Sequence, residues 1–328
     1  MHHTPLTLFV IKRNHAYGSS THISSGLRNS AMFVVNMLLS EGHRAKLVEA
    51  VDGNSIDALV SQNRPTKVVL EAIWVTPTKL AQLQKLWPKV KWTIRVHSAT
   101  PFLANEGNAV GWIAAFLKQG VEVAFNYEPT ADDFSAIGHA TYLPNYYPLR
   151  KPRLPKPAGK TLDVGCFGAI RPLKNRLVQA FAAVRFAHKH NRKLTFHMNA
   201  GRIEQLGSNN LKNIQALFAA TGETLKLHPW LEHEEILELI GQMDYCLSVS
   251  LSESFCIVAS DAVSMGVPLI GSEAISWLPE VSRAETDNSD SIMDAMDRAG
   301  HGTVMANSWA LKMYLHSAIR IWSRWACD

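Results

Sequence analysis

Strand-like and helix-like segments alternate along this chain, and the alternation occurs twice, once on each side of a proline-rich stretch. In the first half, the apolar run Leu6–Lys12 has the length of a buried parallel strand, and residues 27–40 have helical periodicity. In the second half, residues 162–167 are strand-like and residues 175–191 are helical. Strands that alternate with helices in this way predict a doubly wound parallel sheet in each half.

The proline-rich stretch covers residues 144–157 and has five prolines and four basic residues, a composition that excludes a central strand or a helix interior. A chain of 328 residues is also longer than a single hydrophobic core usually supports. We therefore predict two α/β domains, residues 1–148 and residues 149–306, followed by a C-terminal helix in residues 307–328. Ligands of doubly wound sheets bind at the carboxyl ends of the strands.

Composition restricts the classes of partner and compartment. The formal net charge of +5 suits a phosphate-bearing ligand, a nucleic acid or an anionic surface, although a solvated surface excess is the more common cause. No apolar run approaches the length of a membrane span, and the N-terminus lacks a signal-peptide cleavage site, so we expect a cytoplasmic protein. The four cysteines form no C-x-x-C pair, which favours buried thiols in a reducing compartment.

Residues 251–268 place two carboxylates, Glu253 and Asp261, around a short turn and an apolar run. The pattern predicts a strand that ends near Ser250 and a helix over residues 254–265. A loop that leads into a helix N-terminus can bind a phosphate or a sugar hydroxyl. An equally good interpretation is that Glu253 caps the helix and Asp261 is a solvated helix charge.

Four segments of the second half, in this order, resemble motifs of the donor-binding domain of retaining GT-B-fold glycosyltransferases of family four. Residues 168–175 (GAIRPLKN) resemble the G-R-L-x-x-x-K-G loop, residues 198–201 a G-x-G-like turn, residues 253–261 the E-x7-E motif, and residues 262–270 the E-A-x-A-x-G-x-P-V-I run. In the first half, residues 143–145 resemble an I-P-N motif, and the segments EAIWV and RVHSATPFLANEG are similar to bacteriophage-encoded proteins.

The resemblance implies a GT-B architecture, in which two Rossmann-like doubly wound domains face a central cleft and a C-terminal helix returns to the first domain. The first domain would bind the acceptor and the second a nucleotide-sugar donor, most simply a UDP-sugar. No metal ion and no further cofactor is expected. If the chain is phage-encoded, its compartment is the cytoplasm of the host cell.

Phosphate-binding groups are expected in two loops. Arg171 and Lys174, three residues apart, would neutralise the charge that grows on the leaving diphosphate, because a guanidinium fork and an ammonium can reach one anion together. Gly168, the first residue of the same motif, is also expected to belong to the donor-binding site. Gly18 and Ser19 stand in the first half where the family has paired glycines. A solvated basic loop is the alternative interpretation for Arg171 and Lys174.

The two acids would bind different parts of the donor. Glu253 would accept hydrogen bonds from the sugar hydroxyls, with help from the backbone N–H groups of Ser254, Phe255 and Cys256. Asp261 would bind the ribose hydroxyls, as acidic residues do in dinucleotide sites. The sequence departs from the family here, because Asp261 is one methylene shorter than the usual glutamate and the turn lacks glycines.

Further candidates lie next to the nucleotide base and in the first domain. Trp230 and Leu231 would border the base, although Trp230 is as readily a core or lid aromatic. His97 follows a predicted strand, and the resemblance implies a contact to the transferred sugar or help with the acceptor; a structural histidine is equally common there. Glu106, in the following loop, is a second candidate for acceptor activation.

The predicted C-terminal helix has an apolar face and a basic stripe. The apolar face consists of Trp309, Tyr314, Leu315, Ile319, Trp322 and Trp325, and the stripe of Lys312, His316, Arg320 and Arg324. Packing onto the first domain is the favoured interpretation, and a phosphate backbone along the stripe is the alternative.

The resemblance, together with the residues that carry it, implies a retaining, metal-independent glycosyltransferase that moves a sugar from a UDP-sugar to an acceptor hydroxyl, with a hydroxymethylated DNA base as one candidate acceptor. A glycan or protein acceptor is an alternative. A non-catalytic GT-B-like module that binds nucleotide or DNA is a second hypothesis, which the departures at Asp261 and in the turn would favour.

Overall fold

The computed structural model describes residues 5–13, 26–150, 159–204 and 206–328. The chain divides into two compact units, one formed by Met1–Pro148 with Leu315–Asp328 and the other by Leu149–Tyr314. Each unit is built on its own parallel sheet, as the alternation of strands and helices predicts. Gly18 and Ser19 lie outside the described residues, so their predicted role stays a prediction.

The first unit has a six-stranded sheet whose neighbouring strands are all parallel. Its strands are β1 (Leu6–Lys12), β2 (Arg44–Ala50), β3 (Lys67–Glu71), β4 (Lys91–Val96), β5 (Glu122–Phe125) and β6 (Ala140–Tyr142), in the spatial order β2-β1-β3-β4-β5-β6. Its helices are α1 (Gly26–Ser40), α2 (Ser55–Asn63), α3 (Pro77–Leu86), α4 (Thr100–Leu103), α5 (Ala109–Lys118) and α6 (Glu128–Phe134). The order proceeds in both directions from β1, which makes the sheet doubly wound.

The second unit has a five-stranded parallel sheet. Its strands are β7 (Thr161–Gly165), β8 (Lys193–Asn199), β9 (Thr224–His228), β10 (Tyr245–Ser248) and β11 (Leu269–Gly271), in the order β11-β10-β7-β8-β9. The helices that follow Leu149 are α7 (Arg176–Lys189), α8 (Gly207–Thr221), α9 (His233–Ile240), α10 (Ile257–Ser264), α11 (Ser289–Arg298) and α12 (His301–Cys327). The last residues of α12 belong to the first unit.

Helices cover both faces of the first sheet, so its central strands are buried on both sides. Apolar and polar residues therefore do not alternate along them. All five residues of β3 are buried, as is usual for the interior of a parallel sheet. One apolar cluster includes Val68 and Ile113. A second includes Phe9 and Trp322, the latter supplied by α12.

The starts of two helices differ from the sequence-based expectation. α10 begins at Ile257 and not at Ser254, because Cys256 has a φ of +64°, a left-handed conformation that an α-helix cannot include. α12 begins at His301 and not at Asn307. Trp309 does not belong to the buried face of α12, since it is 66% exposed.

The sequence predicts that the four cysteines are buried thiols. Cys166, Cys246 and Cys256 are buried free thiols, as predicted, whereas Cys327 is free but exposed.

No helix within the described ranges combines the length and the apolar character that crossing a bilayer requires.

A buried guanidinium joins several elements of the first unit. Arg95 in β4 has a fully buried side chain, and so does its ion-pair partner Glu71 at the end of β3, 3.2 Å away. Its remaining N–H groups donate to Leu143 O (3.1 Å), Pro144 O (2.9 Å) and Asn145 Oδ1 (2.6 Å), and the ring of Trp322 lies 5.1 Å from its guanidinium carbon. Trp322 Nε1 donates to Pro144 O at 2.7 Å. Arg95 thus holds β3, β4, the segment after β6 and α12 together.

Replacing Arg95 with methionine should destabilise the first unit strongly. The substitution leaves the Glu71 carboxylate buried without its strongest partner, and breaking one side of a buried pair costs about 3–5 kcal/mol. Arg324→Met, which removes an exposed arginine from α12, is the matched control and should change the free energy of unfolding by less than about 0.5 kcal/mol. Denaturant unfolding of both variants measures the difference, and equal effects would contradict this account of Arg95.

Candidate functional site

Apart from Asp261, which lies in α10, the predicted donor-binding residues of the second unit lie in the segments that follow the carboxyl ends of its strands. In a parallel sheet these ends share one edge, and β7 lies between β10 and β8. The loop after β7 carries Arg171 and Lys174, and the loop after β10 carries Glu253. Sequence segments separated by about 80 residues therefore meet.

Lys174 and Glu253 form an ion pair between Nζ and Oε1, and their side chains are only 12% and 6% exposed. The backbone joins the same two loops, since Leu251 N donates to Leu173 O at 2.9 Å. Glu253 therefore does not cap α10, whose N-terminal boundary residue is Cys256. The pair places a cation and a carboxylate side by side at the sheet edge.

The pKa of Glu253 lies below the ordinary glutamate value. Burial raises this pKa, but the attraction of the Lys174 ammonium, with smaller contributions from Arg171 and from a hydrogen bond to Ser250, outweighs the burial. Glu253 is therefore ionised at neutral pH. A carboxylate in this state accepts hydrogen bonds from hydroxyl groups and donates none.

Arg171 has a carboxylate partner that the sequence did not reveal. Its Nη1 lies 3.3 Å from Oε2 of Glu204, and both side chains are 23% exposed. Arg202 also pairs with Glu204, and its guanidinium carbon lies 5.3 Å from the centre of the Trp230 ring. Glu204, in the loop after β8, therefore connects that loop with the loop after β7. Trp230, which follows β9, packs on Arg202 of the loop after β8.

Two buried polar residues of α7 hold the loop of Lys174 in place, and sequence reasoning missed both. Gln179 is fully buried; its Nε2 donates to Lys174 O at 2.7 Å and its Oε1 accepts from Val249 N at 3.0 Å. Arg176 is also fully buried, and its Nη2 donates to the carbonyl oxygens of Gly168 and Ala169. Both lie on the buried face of α7, a position that helical spacing from Ala180 and Ala183 could have revealed.

Asn199 connects the Gly168 loop to the segment that carries Trp230. Its Oδ1 accepts from Gly168 N at 2.9 Å, and its Nδ2 donates to Pro229 O at 3.1 Å. Gly168 has a φ of +100°, which favours glycine, and a Cβ on Gly201 would lie 2.5 Å from Trp230 N. These features fix the backbone around Trp230 and Leu231, both of which are partly exposed.

The turn between Glu253 and α10 has no glycine and is held by buried contacts. The Phe255 side chain is 1% exposed and stacks on Tyr314 at a centroid distance of 5.3 Å. Phe255 O accepts from Trp277 Nε1 at 2.8 Å. Ser254 is partly exposed. Burial raises the pKa of Cys256 to about 12, so its thiol stays protonated at neutral pH.

Asp261 is buried and has a histidine partner. Its Oδ1 lies 2.8 Å from Nε2 of His233, the first residue of α9, and the two side chains are 3% and 15% exposed. The interpretation of Asp261 as a solvated helix charge is therefore wrong. The imidazole of His233 adds a polar group beyond the reach of the short Asp261 side chain. Sequence reasoning did not identify His233.

His97 lies in the first unit, directly after β4. Its Nε2 pairs with the carboxylate of Glu71, the same buried group that pairs with Arg95. Burial lowers the pKa of His97 more than the Glu71 carboxylate raises it, so the imidazole is neutral at neutral pH. Burial also raises the pKa of Glu71, but Arg95 and His97 lower it below its ordinary value.

Comparison with solved structures identifies the class of fold as the GT-B architecture of two Rossmann-like domains. No protein-family model and no curated protein sequence matches the chain. The chain is similar to HepE from Anabaena in complex with UDP and glucose (13% identity, 98% of each chain, TM-score 0.67). It is also similar to sucrose-phosphate synthase from Thermosynechococcus elongatus (12% identity, 98% of this chain and 94% of that chain, TM-score 0.67). A third similar structure is a glycosyltransferase from Rickettsia africae (14% identity, 97% of this chain and 98% of that chain, TM-score 0.60).

Replacing Lys174 with methionine should make the stability of the second unit depend on pH in a defined direction. Without the ammonium, burial dominates and raises the pKa of Glu253 above its unfolded value, so the penalty is smallest at low pH and grows as the pH rises. We expect a loss of about 3–5 kcal/mol at pH 8, less at pH 5, and recovery in Lys174→Met/Glu253→Gln. Urea unfolding at both pH values measures this; a pH-independent loss would contradict the ion-pair account.

Proposed function

We propose that this protein is a retaining glycosyltransferase of the family-four type that transfers a sugar from a UDP-sugar to an acceptor hydroxyl. The observation that carries the proposal is the contact between Lys174 and Glu253 at the carboxyl ends of β7 and β10. It brings the cation that we propose binds phosphate beside the ionised carboxylate that we propose accepts the sugar hydroxyls. The similarity in fold to structures that contain UDP, with and without glucose, supports the proposal.

Each residue has a defined role in this proposal. Lys174 and Arg171 would bind the diphosphate, with the phosphate oxygens replacing Glu204 as the partner of Arg171. Glu253 would accept hydrogen bonds from the sugar hydroxyls. Asp261 would recognise the ribose together with His233, and the segment around Trp230 would border the base. Since side-chain cations neutralise the diphosphate, we expect no requirement for a metal ion.

The reaction balances without a protein base. The acceptor oxygen forms a bond to the anomeric carbon while the bond from that carbon to the diphosphate oxygen breaks, and UDP departs. The acceptor proton passes to the departing phosphate oxygen. Attack from the face that UDP leaves retains the configuration of the anomeric carbon. His97, neutral and paired with Glu71, would contact the transferred sugar or the acceptor.

A hydroxymethylated DNA base is the acceptor that one observation favours. Lys312, His316, Arg320 and Arg324 are all exposed along α12, so this basic stripe is accessible to solvent. Cations spaced along a helix can follow a phosphate backbone. This acceptor accords with the resemblance of the first half to bacteriophage proteins, and a glycan or protein acceptor is the alternative.

A non-catalytic nucleotide-binding module is the second candidate. The observation that favours it is the Asp261–His233 contact, because the carboxylate proposed to bind ribose already has a partner. Incubation with UDP-sugars distinguishes the candidates. The transferase releases UDP because it transfers the sugar, slowly to water and faster to an acceptor. The module binds UDP but releases none from a UDP-sugar.

Arg171→Ala and Lys174→Ala should each weaken UDP binding about tenfold to a hundredfold, because each removes a charge-assisted hydrogen bond worth about 1.5–3 kcal/mol. Lys212→Ala, which removes an exposed lysine of α8, is the matched control and should leave the affinity unchanged. Calorimetric titration with UDP measures all three. Unchanged affinity in both site variants would show that this loop does not bind the diphosphate.

The reaction itself should be visible by mass spectrometry of hydroxymethylated DNA and of candidate glycans, each incubated with a panel of nucleotide sugars and with a chelator present. We expect a mass increase of one sugar unit. Because the two anomers have the same mass, NMR of the product determines whether the configuration is retained or inverted. The transferase proposal fails if the protein releases no UDP from any donor and UDP does not raise its melting temperature.

A further inference from the structure

A cavity of about 280 Å³ lies in the first unit, at the amino end of β4. Its wall is made by the end of α3, by the turn that leads into β4 and by the turn between α5 and β5. The lining residues that matter for its chemistry are Gln84, Trp87, Lys91, Trp92 and Gly120. All of them belong to the first unit, so the cavity is complete within that unit.

This cavity is separate from the residues considered so far. His97 and Glu106 follow the carboxyl end of β4, where Ser98 Oγ donates to Glu106 Oε2 at 2.9 Å. Trp92 is the second residue of the same strand. Since a strand rises about 3.3 Å per residue, Trp92 and His97 are roughly 16 Å apart along the chain. The cavity therefore lies at the edge of the sheet opposite to the one where ligands of doubly wound sheets bind.

The indole N–H of Trp92 is a buried hydrogen-bond donor without an acceptor. The side chain is 5% exposed, and within the described part of the chain no atom accepts a hydrogen bond from its Nε1. By contrast, the indole N–H of four other tryptophans of the first unit donates to a protein oxygen, namely in Trp74, Trp87, Trp322 and Trp325. A buried indole N–H normally has a partner. A ligand in the cavity that Trp92 lines would supply the missing acceptor.

Other walls of the cavity are held by contacts behind them. Trp87 Nε1 donates to Asp57 Oδ1 at 2.8 Å, which orients the partly exposed indole ring. Gln84 Nε2 donates to Gln119 O at 3.3 Å, which joins the end of α3 to the turn after α5. Groups that are positioned by partners behind them need little reorganisation when a ligand binds.

The size of the cavity suits a single flat ring. Its volume is about 280 Å³, and roughly 150 Å³ is enough to hold a benzene ring. The ring of Trp87 offers an aromatic surface on which such a ring can pack. Gly120 has a φ of +70°, which favours glycine. A Cβ at this position would have no atom within 4 Å, so the cavity is open on that side.

The charges around the cavity are mostly positive. Among the lining residues that the structure describes, Lys91 is the only charged one. Three more lysines lie within two residues of the lining, and all four lysines are exposed, namely Lys85, Lys89, Lys91 and Lys118. An ammonium group has three N–H donors and no acceptor. The lysines and the indole N–H therefore call for a ligand that accepts hydrogen bonds.

Three acidic residues lie near the cavity, and two of them already accept hydrogen bonds through their carboxylates. Asp57 accepts from Trp87 Nε1 at 2.8 Å. Glu122 accepts from Thr93 Oγ1 at 2.7 Å. The third, Asp328, accepts at its backbone oxygen from Lys91 Nζ at 2.6 Å. With four lysines against these three acids, the balance favours an anionic ligand over a cationic one.

We propose that this cavity binds a small flat ring that carries a carboxylate, with the ring packed on Trp87 and a carboxylate oxygen accepting a hydrogen bond from Trp92 Nε1. Lys91 contributes the opposite charge. Because Trp92 Nε1 is buried, the indole ring shifts slightly toward the ligand when this hydrogen bond forms. The inference does not rest on the proposed transfer, since neither the donor nor the acceptor takes part in it.

Heteronuclear NMR of the tryptophan indole N–H groups tests the inference on the full chain. The probes are benzoate and indole-3-acetate as carboxylates, with benzylamine and tryptamine as the matched amines. We expect at least one carboxylate to move the signal of Trp92 downfield, as a new hydrogen bond does, while the signal of the exposed Trp309 stays in place. The Trp92 signal is assigned by its loss in Trp92→Phe. The matched amine should bind at least about tenfold more weakly, because it offers no acceptor to the indole N–H.

Substitutions locate the binding, which saturation transfer to the probe measures in every variant. Trp92→Phe keeps an aromatic ring and removes the donor, so it should weaken the carboxylate about tenfold to a hundredfold. Trp309→Phe, at an exposed position of α12, is the control. Lys91→Met should weaken the carboxylate about twofold to fivefold, because an exposed charge contributes little. Its control is Lys212→Met, at an exposed position of α8.

Any of three results would overturn the inference. No carboxylate moves the Trp92 signal, or the amines bind as tightly as the carboxylates, or Trp92→Phe binds the carboxylate as tightly as the wild type does. If Trp92→Phe lowers the melting temperature too far for a binding measurement, Lys91→Met decides, and unchanged affinity in that variant contradicts the inference. UDP titration of the same samples tests the proposed function separately. UDP binding without carboxylate binding rejects the cavity, whereas carboxylate binding without UDP binding rejects the donor site.

Discussion

The burial of ionised groups is the constraint on which both candidate sites depend. A carboxylate withdrawn from water stays charged only if a cation or hydrogen bonds replace the solvent. Glu253 meets this condition through Lys174, and Glu71 meets it through Arg95 and His97. In each unit, the charged side chains at the strand ends therefore hold one another in position without a ligand.

Parallel sheets explain why these charges lie where they do. All strands of a unit end at the same edge, so loops from distant parts of the sequence meet there. Glu71 and His97 come from neighbouring strands, and the loops of Lys174 and Glu253 follow β7 and β10, which are also neighbours. Buried polar residues behind the edge, such as Gln179, then hold the loops at hydrogen-bond distance.

The fold could be predicted from the sequence, because strand length and helical periodicity are local properties. Lys174 and Glu253 belong to motifs that the sequence also shows, and the structure brings the two side chains together, whereas their role in donor binding stays a prediction. The partners could not be predicted, since Glu204 and His233 meet Arg171 and Asp261 only after the sheet forms. The predicted start of α10 was wrong. A residue other than glycine in the left-handed conformation, here Cys256, gives no reliable signal in the sequence.

The most direct test of the central claim is a calorimetric comparison of UDP with a UDP-sugar, on the wild-type protein and on Glu253→Gln. Glu238→Gln, at an exposed position of α9, is the control. If Glu253 binds the sugar and Lys174 the diphosphate, the wild type binds the UDP-sugar more tightly than UDP. Glu253→Gln then loses that difference while its affinity for UDP stays within about twofold. An unchanged preference for the UDP-sugar in Glu253→Gln would contradict the account.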